Sequence, residues 1–170
     1  MLLGGAADTS QQKSSAKGGD TMYSMTINRI MFALAAAGLV VAGLLWYWHA
    51  IRGEVPCTNA GCDQVAQHPT SRLFGIPVAA YGTLFYLSFA LLCAMRPSVA
   101  PIHQRLWGNL IRLWGFVGFG VSVYLTYLEL FVIRAICQWC MVSAAIATTL
   151  FVLSLLASRE PRVITSPVEA

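Results

Sequence analysis

Four long apolar runs, separated by short segments that hold most of the charge, leave this chain few ways to fold. The last begins at Cys137-Gln138-Trp139-Cys140 and stays apolar from Met141 to Ala157. Taken as a helix from Cys137, at about 1.5 Å per residue, it reaches roughly 31 Å, the thickness of one hydrocarbon core. The other runs cover residues 27–48, 77–95 and 110–133. The chain is 57% hydrophobic and only 11% charged, against about 25% charged in a soluble domain, so lipid is the solvent for most of its surface. The expected fold is an all-α membrane protein, a four-transmembrane-helix bundle with a long extracytoplasmic loop between helices 1 and 2. Residues 26–158 make up the membrane domain, with a fourth span over 137–157. Residues 1–25, rich in Ser, Gly, Lys and Gln, read as a disordered cytoplasmic tail, and residues 159–170 as a short polar cytoplasmic tail.

The first run superficially resembles a signal peptide. It is too long for one, lacks a clear small-residue cleavage site, and ends in Trp46-Tyr47-Trp48-His49, an aromatic belt suited to the membrane interface. It therefore reads as an uncleaved span. Basic residues set the orientation. Lys13, Lys17, Arg29, Arg96, Arg105, Arg112, Arg159 and Arg162 fall on one side, and Arg52, Arg72 and Arg134 on the other. The richer side is cytoplasmic by the positive-inside rule, so both termini are expected there. The net charge of +4 is spread along the chain with no basic and aromatic stripe, which sets nucleic acid aside as a partner.

Of the five cysteines, Cys93 stands alone in an apolar run and reads as a small buried apolar residue. The other four form two pairs facing the same, outer side. Cys57 and Cys62, in the first loop, are spaced for an easy local disulfide, and as an isolated pair they could be a structural staple. Cys137 and Cys140 form a Cys-x-x-Cys at a helix start, where free backbone N–H groups and the positive end of the helix dipole favour thiolate. Together the pairs suit a relay in which a thiolate of one dithiol attacks the disulfide of the next. The loop pair can visit a soluble protein, and the helix pair can pass electrons to something dissolved in lipid. No haem-ligand motif or nucleotide fingerprint offers another acceptor, which leaves a lipid-soluble quinone. A four-thiolate zinc site is the competing use of the same sulfurs, but the wider spacing of the first pair and the lack of a His-rich cluster speak against it, so no metal site is expected.

The motifs Cys57, Cys62-Asp63, Phe74-Gly75-Ile76-Pro77, the stretch from Tyr124 through Tyr127 to Glu129, and Cys137-Gln138-Trp139-Cys140 occur in that order between the four apolar spans. In this they resemble the vitamin K epoxide reductase family in its compact bacterial form, over about residues 27–157. The resemblance implies a quinone-coupled disulfide oxidoreductase of the bacterial inner membrane with its active site on the periplasmic side. It further implies that Cys57 forms the mixed disulfide with a partner, Cys62 shuttles to Cys137, and Cys140 is the thiolate facing ubiquinone or menaquinone. The implied partner is a periplasmic thioredoxin-fold oxidase, here expected to be a separate protein rather than a fused domain. Quinone contacts are expected at His68, Phe74, Tyr127 and Trp139, with Trp46, Trp48 and Tyr124 as further aromatic candidates.

Two positions depart from the family pattern. His68 stands where many relatives have a serine near the quinone, with Thr70 and Ser71 as alternative hydroxyls and a solvated loop histidine as the plainer reading. Ala144 stands where the animal enzymes have a tyrosine, which weakens vitamin K epoxide reduction as the activity. Glu129, an ionisable group about one turn inside helix 3, is either functional or a cap paired with Arg134. Three other readings remain: an epoxide reductase running on small thiols, a soft-metal-binding membrane protein, and a scaffold stapled by disulfides.

Overall fold

The computed structural model describes residues 6–51, 57 and 61–157, with side chains from Met25 onward except that of Pro101. The expected tails at residues 1–5 and 159–170 lie outside the described residues. Four helices are long and apolar enough to cross a membrane, over Met25–Ile51, Val78–Ser98, Gln104–Ile133 and Gln138–Leu156. Helix α1 (Ala6–Ile51) contains the first of these and runs back well beyond it. Residues 6–24, expected as a disordered tail, are thus helical: the apolar span supplies the nucleus, and each further residue then adds one backbone bond at little cost.

Helix α2 (Gly61–Gln67) follows in the first loop. Behind it come a 3₁₀ turn (Pro69–Ser71) and the hairpin β1 (Arg72–Leu73) and β2 (Ile76–Pro77), paired Arg72 with Pro77 and Leu73 with Ile76. The hairpin leaves Phe74 and Gly75 as a two-residue loop, both at positive φ (54° and 81°), the conformation that matches the twist of tight hairpins. Pro77 then precedes α3 (Val78–Met95), at a position where its missing N–H is harmless. At the other end of the bundle, two 3₁₀ turns lead to α4 (Gln104–Tyr127), which starts six residues before the expected 110. Leu128–Ile133 continues α4 as a π-helix, and α5 (Gln138–Leu156) completes the bundle. Cys137 is the residue before α5, in extended conformation, rather than the first residue inside it.

Helix α1 packs against α3 and α5, and α4 against α5. Their shared core holds Met31 and Ala35 from α1, Phe89 and Cys93 from α3, Ile111 from α4 and Leu150 from α5. Because lipid is as apolar as these side chains, close fit and hydrogen bonds between helices must hold the bundle together. The Tyr86 hydroxyl donates to the Ser143 carbonyl at 2.8 Å, tying α3 to α5. Asn28 Nδ2 donates to the Cys93 carbonyl at 2.9 Å, and Trp114 Nε1 to Ser88 Oγ at 2.9 Å. A second core, at the loop end, gathers Leu45, Cys62, Val65, Ala66, Ala135 and Cys137.

Two glycines mark close approaches. A Cβ at Gly38 would collide with the Tyr86 ring, so the close approach of α1 to that ring of α3 depends on the missing side chain. A Cβ at Gly61 would lie 2.5 Å from the Ile136 carbonyl oxygen, so the start of α2, one residue before Cys62, sits directly on the backbone leading into Cys137.

Gly38→Ala should lower the thermal midpoint of the detergent-solubilised protein, by overpacking worth about 1–3 kcal/mol. Gly43→Ala, with nothing within 4 Å of its Cβ, should leave the midpoint unchanged or raise it. In a background of Cys57→Ala with Cys140→Ala, mild oxidation should join Cys62 to Cys137. Adding Gly61→Ala should slow that cross-link severalfold by lifting α2 off residues 134–137.

Candidate active site

Helix α4 widens into a π-helix just before its end, and that widening builds the site. Extra-wide turns of this kind are uncommon and recur at functional positions. The Glu129 carbonyl accepts from the Arg134 N–H and, at 3.2 Å, from the Ala135 N–H. Arg134 takes a left-handed conformation (φ 55°, ψ 33°) and ends the π-helix. The chain then turns back through residues 134–137, and Glu129 Oε2 accepts from the Cys137 N–H at 3.1 Å. A single residue thus holds the connection by its carbonyl and its carboxylate. Glu129 is only 4% exposed, and its carboxyl also takes a hydrogen bond from the Cys140 thiol. The bond between Arg134 and Glu129 joins backbone groups and is not the side-chain pairing that the sequence suggests.

The four relay cysteines meet in the second core: Cys62 and Cys137 are buried within it, and Cys57 and Cys140 pack against it. Cys57 and Cys62 are joined in a disulfide with Cα atoms 6.2 Å apart, while Cys137 and Cys140 are free thiols. The Cys140 thiol also donates to Cys137, and that bond pushes the Cys137 thiol down to about 7 against the opposing effect of its burial. Charge is therefore favoured on Cys137, with the proton of their shared bond supplied by Cys140, whereas the family resemblance implies a thiolate at Cys140. The reason is geometric. Cys137 is the capping residue ahead of α5 and receives hydrogen bonds from the backbone of Trp139 and Cys140, while Cys140 lies within the first turn.

Beside the free thiols lies a cavity of about 360 Å³, between α1, α3, α4 and α5 and roofed by α2. Its walls are largely apolar, with Phe85, Val117, Val121, Leu125 and Ala147 among them. The polar groups that reach it include Cys137, Cys140, Glu129, Tyr86, Ser143 and His49. An apolar slot with a few convergent polar groups suits a flat, lipid-soluble molecule.

None of the four residues expected to touch a quinone lines this cavity. His68 caps the 3₁₀ turn instead, with Nδ1 2.7 Å from Thr70 Oγ1 and accepting from the Thr70 N–H, and this holds its ring on the loop. Thr70 and Ser71, the alternative hydroxyls, do reach the cavity. Phe74 is 94% exposed at the hairpin tip, where the tight turn directs it away from the bundle. Tyr127 is exposed and stacks on Phe131 with centroids 4.9 Å apart. Val121, Ser122, Leu125 and Thr126 turn α4 toward the cavity, whereas Tyr124 and Tyr127 are both exposed and do not line it. Trp139 packs against the sulfur core, as does Trp48. Trp46 is largely exposed. The residues missed in the sequence are Tyr86, Ser143 and His49. The periodicity of α4 is visible in the sequence and could have identified its cavity face, but nothing local distinguishes Tyr86 from a tyrosine facing lipid.

Residues 29–155, well over half of the chain, match the Vitamin K epoxide reductase family. That interval takes in both cysteine pairs, Glu129 and every residue that lines the cavity. With four helices able to cross a membrane and a dithiol beside a disulfide, the chain is a multi-pass membrane oxidoreductase and belongs to the vitamin K epoxide reductase family.

Proposed function

We propose that this protein is a quinone-coupled thiol–disulfide oxidoreductase that reoxidises a separate extracytoplasmic thioredoxin-fold partner. Electrons would pass from the partner to Cys57 and Cys62, then to Cys137 and Cys140, and finally to a membrane quinone such as ubiquinone or menaquinone. The observation that carries this reading is the one cluster in which Cys62 and Cys137 are buried and against which Cys57 and Cys140 pack, with the free pair opening onto an apolar cavity. Cys57 is the least buried of the loop pair, which suits it to meet a protein from outside, and Cys62 lies beside Cys137 in the core. The count of basic residues supports cytoplasmic termini with the sulfurs on the opposite side, which in a bacterial inner membrane is the periplasm.

The residues fit a quinone. Phe85, Val117 and Leu125 supply apolar walls, while Ser143 Oγ and the Tyr86 hydroxyl, 2.9 Å apart, form a polar patch in the cavity lining. When bound, a quinone supplies a two-electron, two-proton acceptor. The chain's part is to hold it beside Cys140 and to keep bulk water out. Ala144 also lines the cavity and offers no hydroxyl there, which favours quinone reduction over epoxide chemistry. Joining Cys57 to Cys62 leaves only two of the four sulfurs free as thiolates, which disfavours a soft-metal carrier.

Purified protein should reduce a quinone only when given a reduced thioredoxin-like partner, and Cys140→Ala should abolish that turnover. Full turnover in the variant would overturn the assignment. Cys57→Ala should abolish the trapped partner adduct, seen as a disulfide-linked band on non-reducing gels. Alkylation of Cys137, followed by mass spectrometry, should rise with pH about a midpoint near 7. Cys140→Ala removes the donor that stabilises the thiolate, so the midpoint should move up toward the ordinary thiol range.

A further inference from the structure

Glu129 is a buried ionisable group that the sulfur relay leaves without a task. It lines the same cavity as Cys137 and Cys140, is 4% exposed, and touches both: Oε2 accepts from the Cys137 N–H at 3.1 Å, and the carboxyl takes a hydrogen bond from the Cys140 thiol. A carboxyl at this depth is costly and tends to be kept for function. A cap for the Cys137 N–H needs only an acceptor, which a neutral amide also supplies. The contact with Cys140 needs more explanation. The Cys140 proton has two acceptors within reach, the Cys137 sulfur and the Glu129 carboxylate, so it can pass directly between the thiol and the carboxyl.

We infer that Glu129 is the catalytic proton donor and acceptor for Cys140 during exchange between the two cysteine pairs. The inference rests on the thiol–disulfide function proposed above. In the exchange, a Cys62 thiolate attacks the Cys137 sulfur of a Cys137–Cys140 disulfide, that S–S bond breaks, and Cys140 departs with the electron pair. The Cys57 thiolate then attacks Cys62, forming the Cys57–Cys62 disulfide and releasing Cys137. The loop pair loses two electrons and the helix pair gains them. The two protons given up by the loop thiols equal the two taken by the helix thiols. Glu129, as the acid, hands its proton to the departing Cys140 sulfur and is left as the carboxylate to which the Cys140 thiol now donates. When the helix pair is next oxidised, the Cys140 thiol gives its proton back to the Glu129 carboxylate and restores the acid, while the remaining loop-pair proton and that of Cys137 balance the two electrons that leave. The other titratable groups lining the cavity are His49 from α1, Tyr81 and Tyr86 from α3, and the disulfide-bonded Cys62 from α2. Of the cavity's carboxyl, imidazole and phenol groups, it is Glu129 that bonds to the Cys140 thiol.

The test uses the full chain in detergent micelles, oxidised and then reduced with dithiothreitol. It follows the Cys137–Cys140 disulfide by mass spectrometry and the carboxyl groups by redox-difference infrared spectroscopy. The wild-type protein should lose a protonated-carboxyl C=O band on reduction, and the band should shift in deuterium oxide. Glu129→Gln keeps an oxygen for the Cys137 N–H but cannot cycle a proton. It should lack the band and reduce its Cys137–Cys140 disulfide more slowly, on the order of 10²-fold, the usual size of general acid catalysis. Glu129→Asp should retain the band at a displaced frequency and recover part of the rate, so the question remains answerable if the Gln variant folds poorly. Wild-type reduction with no change in any carboxyl band, or a wild-type rate in Glu129→Gln, overturns the inference and leaves the function standing. Failure of the wild-type protein to form a Cys137–Cys140 disulfide at all overturns the function, and the inference with it.

Discussion

The hold of Glu129 on the chain between α4 and α5 is the interaction on which the rest of the site depends. Its carbonyl gathers the Arg134 and Ala135 N–H groups, and its carboxylate takes the Cys137 N–H. Without these bonds the ends of two membrane helices would leave backbone groups unpaired near the lipid boundary, at a cost of several kcal/mol each. With them the π-helix closes, Arg134 adopts its left-handed conformation, and Cys137 is delivered in extended form to the start of α5. The position of one sulfur relative to the other three is therefore set by a backbone device rather than by the cysteines.

The bundle keeps support and chemistry at different ends. The large core around Met31, Phe89 and Leu150 makes α1, α3, α4 and α5 a fixed frame, with small residues such as Gly38 allowing the close approaches that packing in lipid requires. The smaller core around Cys62 and Cys137 sits under α2, a helix of seven residues held through a disulfide at its start and through contact with the Ile136 backbone. The cavity lies between these cores, so its floor is rigid and its roof is a short loop element. The relay proposed above would use that arrangement: the loop sulfurs would move between two partners while the helix sulfurs stay in register with the cavity.

Electrostatics add a division of labour inside the Cys-x-x-Cys. The extended Cys137 meets the N–H groups at the head of α5 and a thiol donor, so negative charge is stabilised there. Cys140, inside the first turn, is bonded to Cys137 on one side and to Glu129 on the other. In the proposed relay this adjacent thiol and carboxyl would store a proton where electrons leave.

The four apolar runs, the pairing of the cysteines and their common end of the bundle were legible in the sequence, because chain length against membrane thickness and the order of the motifs decide them before any folding detail. Even so, α1 extends back to Ala6 where a loose tail was expected. The cavity contacts were not legible. His68, Phe74, Tyr127 and Trp139 were chosen for their chemistry and their neighbourhood in sequence, yet a capping bond, a hairpin turn, the helical period of α4 and the sulfur core direct each of them elsewhere. Tyr86, Ser143 and His49 reach the cavity only because α1, α3 and α5 cross there. The sequence by itself determined the number of spans and which sulfurs are available. The tertiary structure alone decided which sulfur is favoured as thiolate and that Glu129 lies against both helix cysteines, because those depend on where helix ends meet, and a π-helix and one left-handed residue set that meeting point.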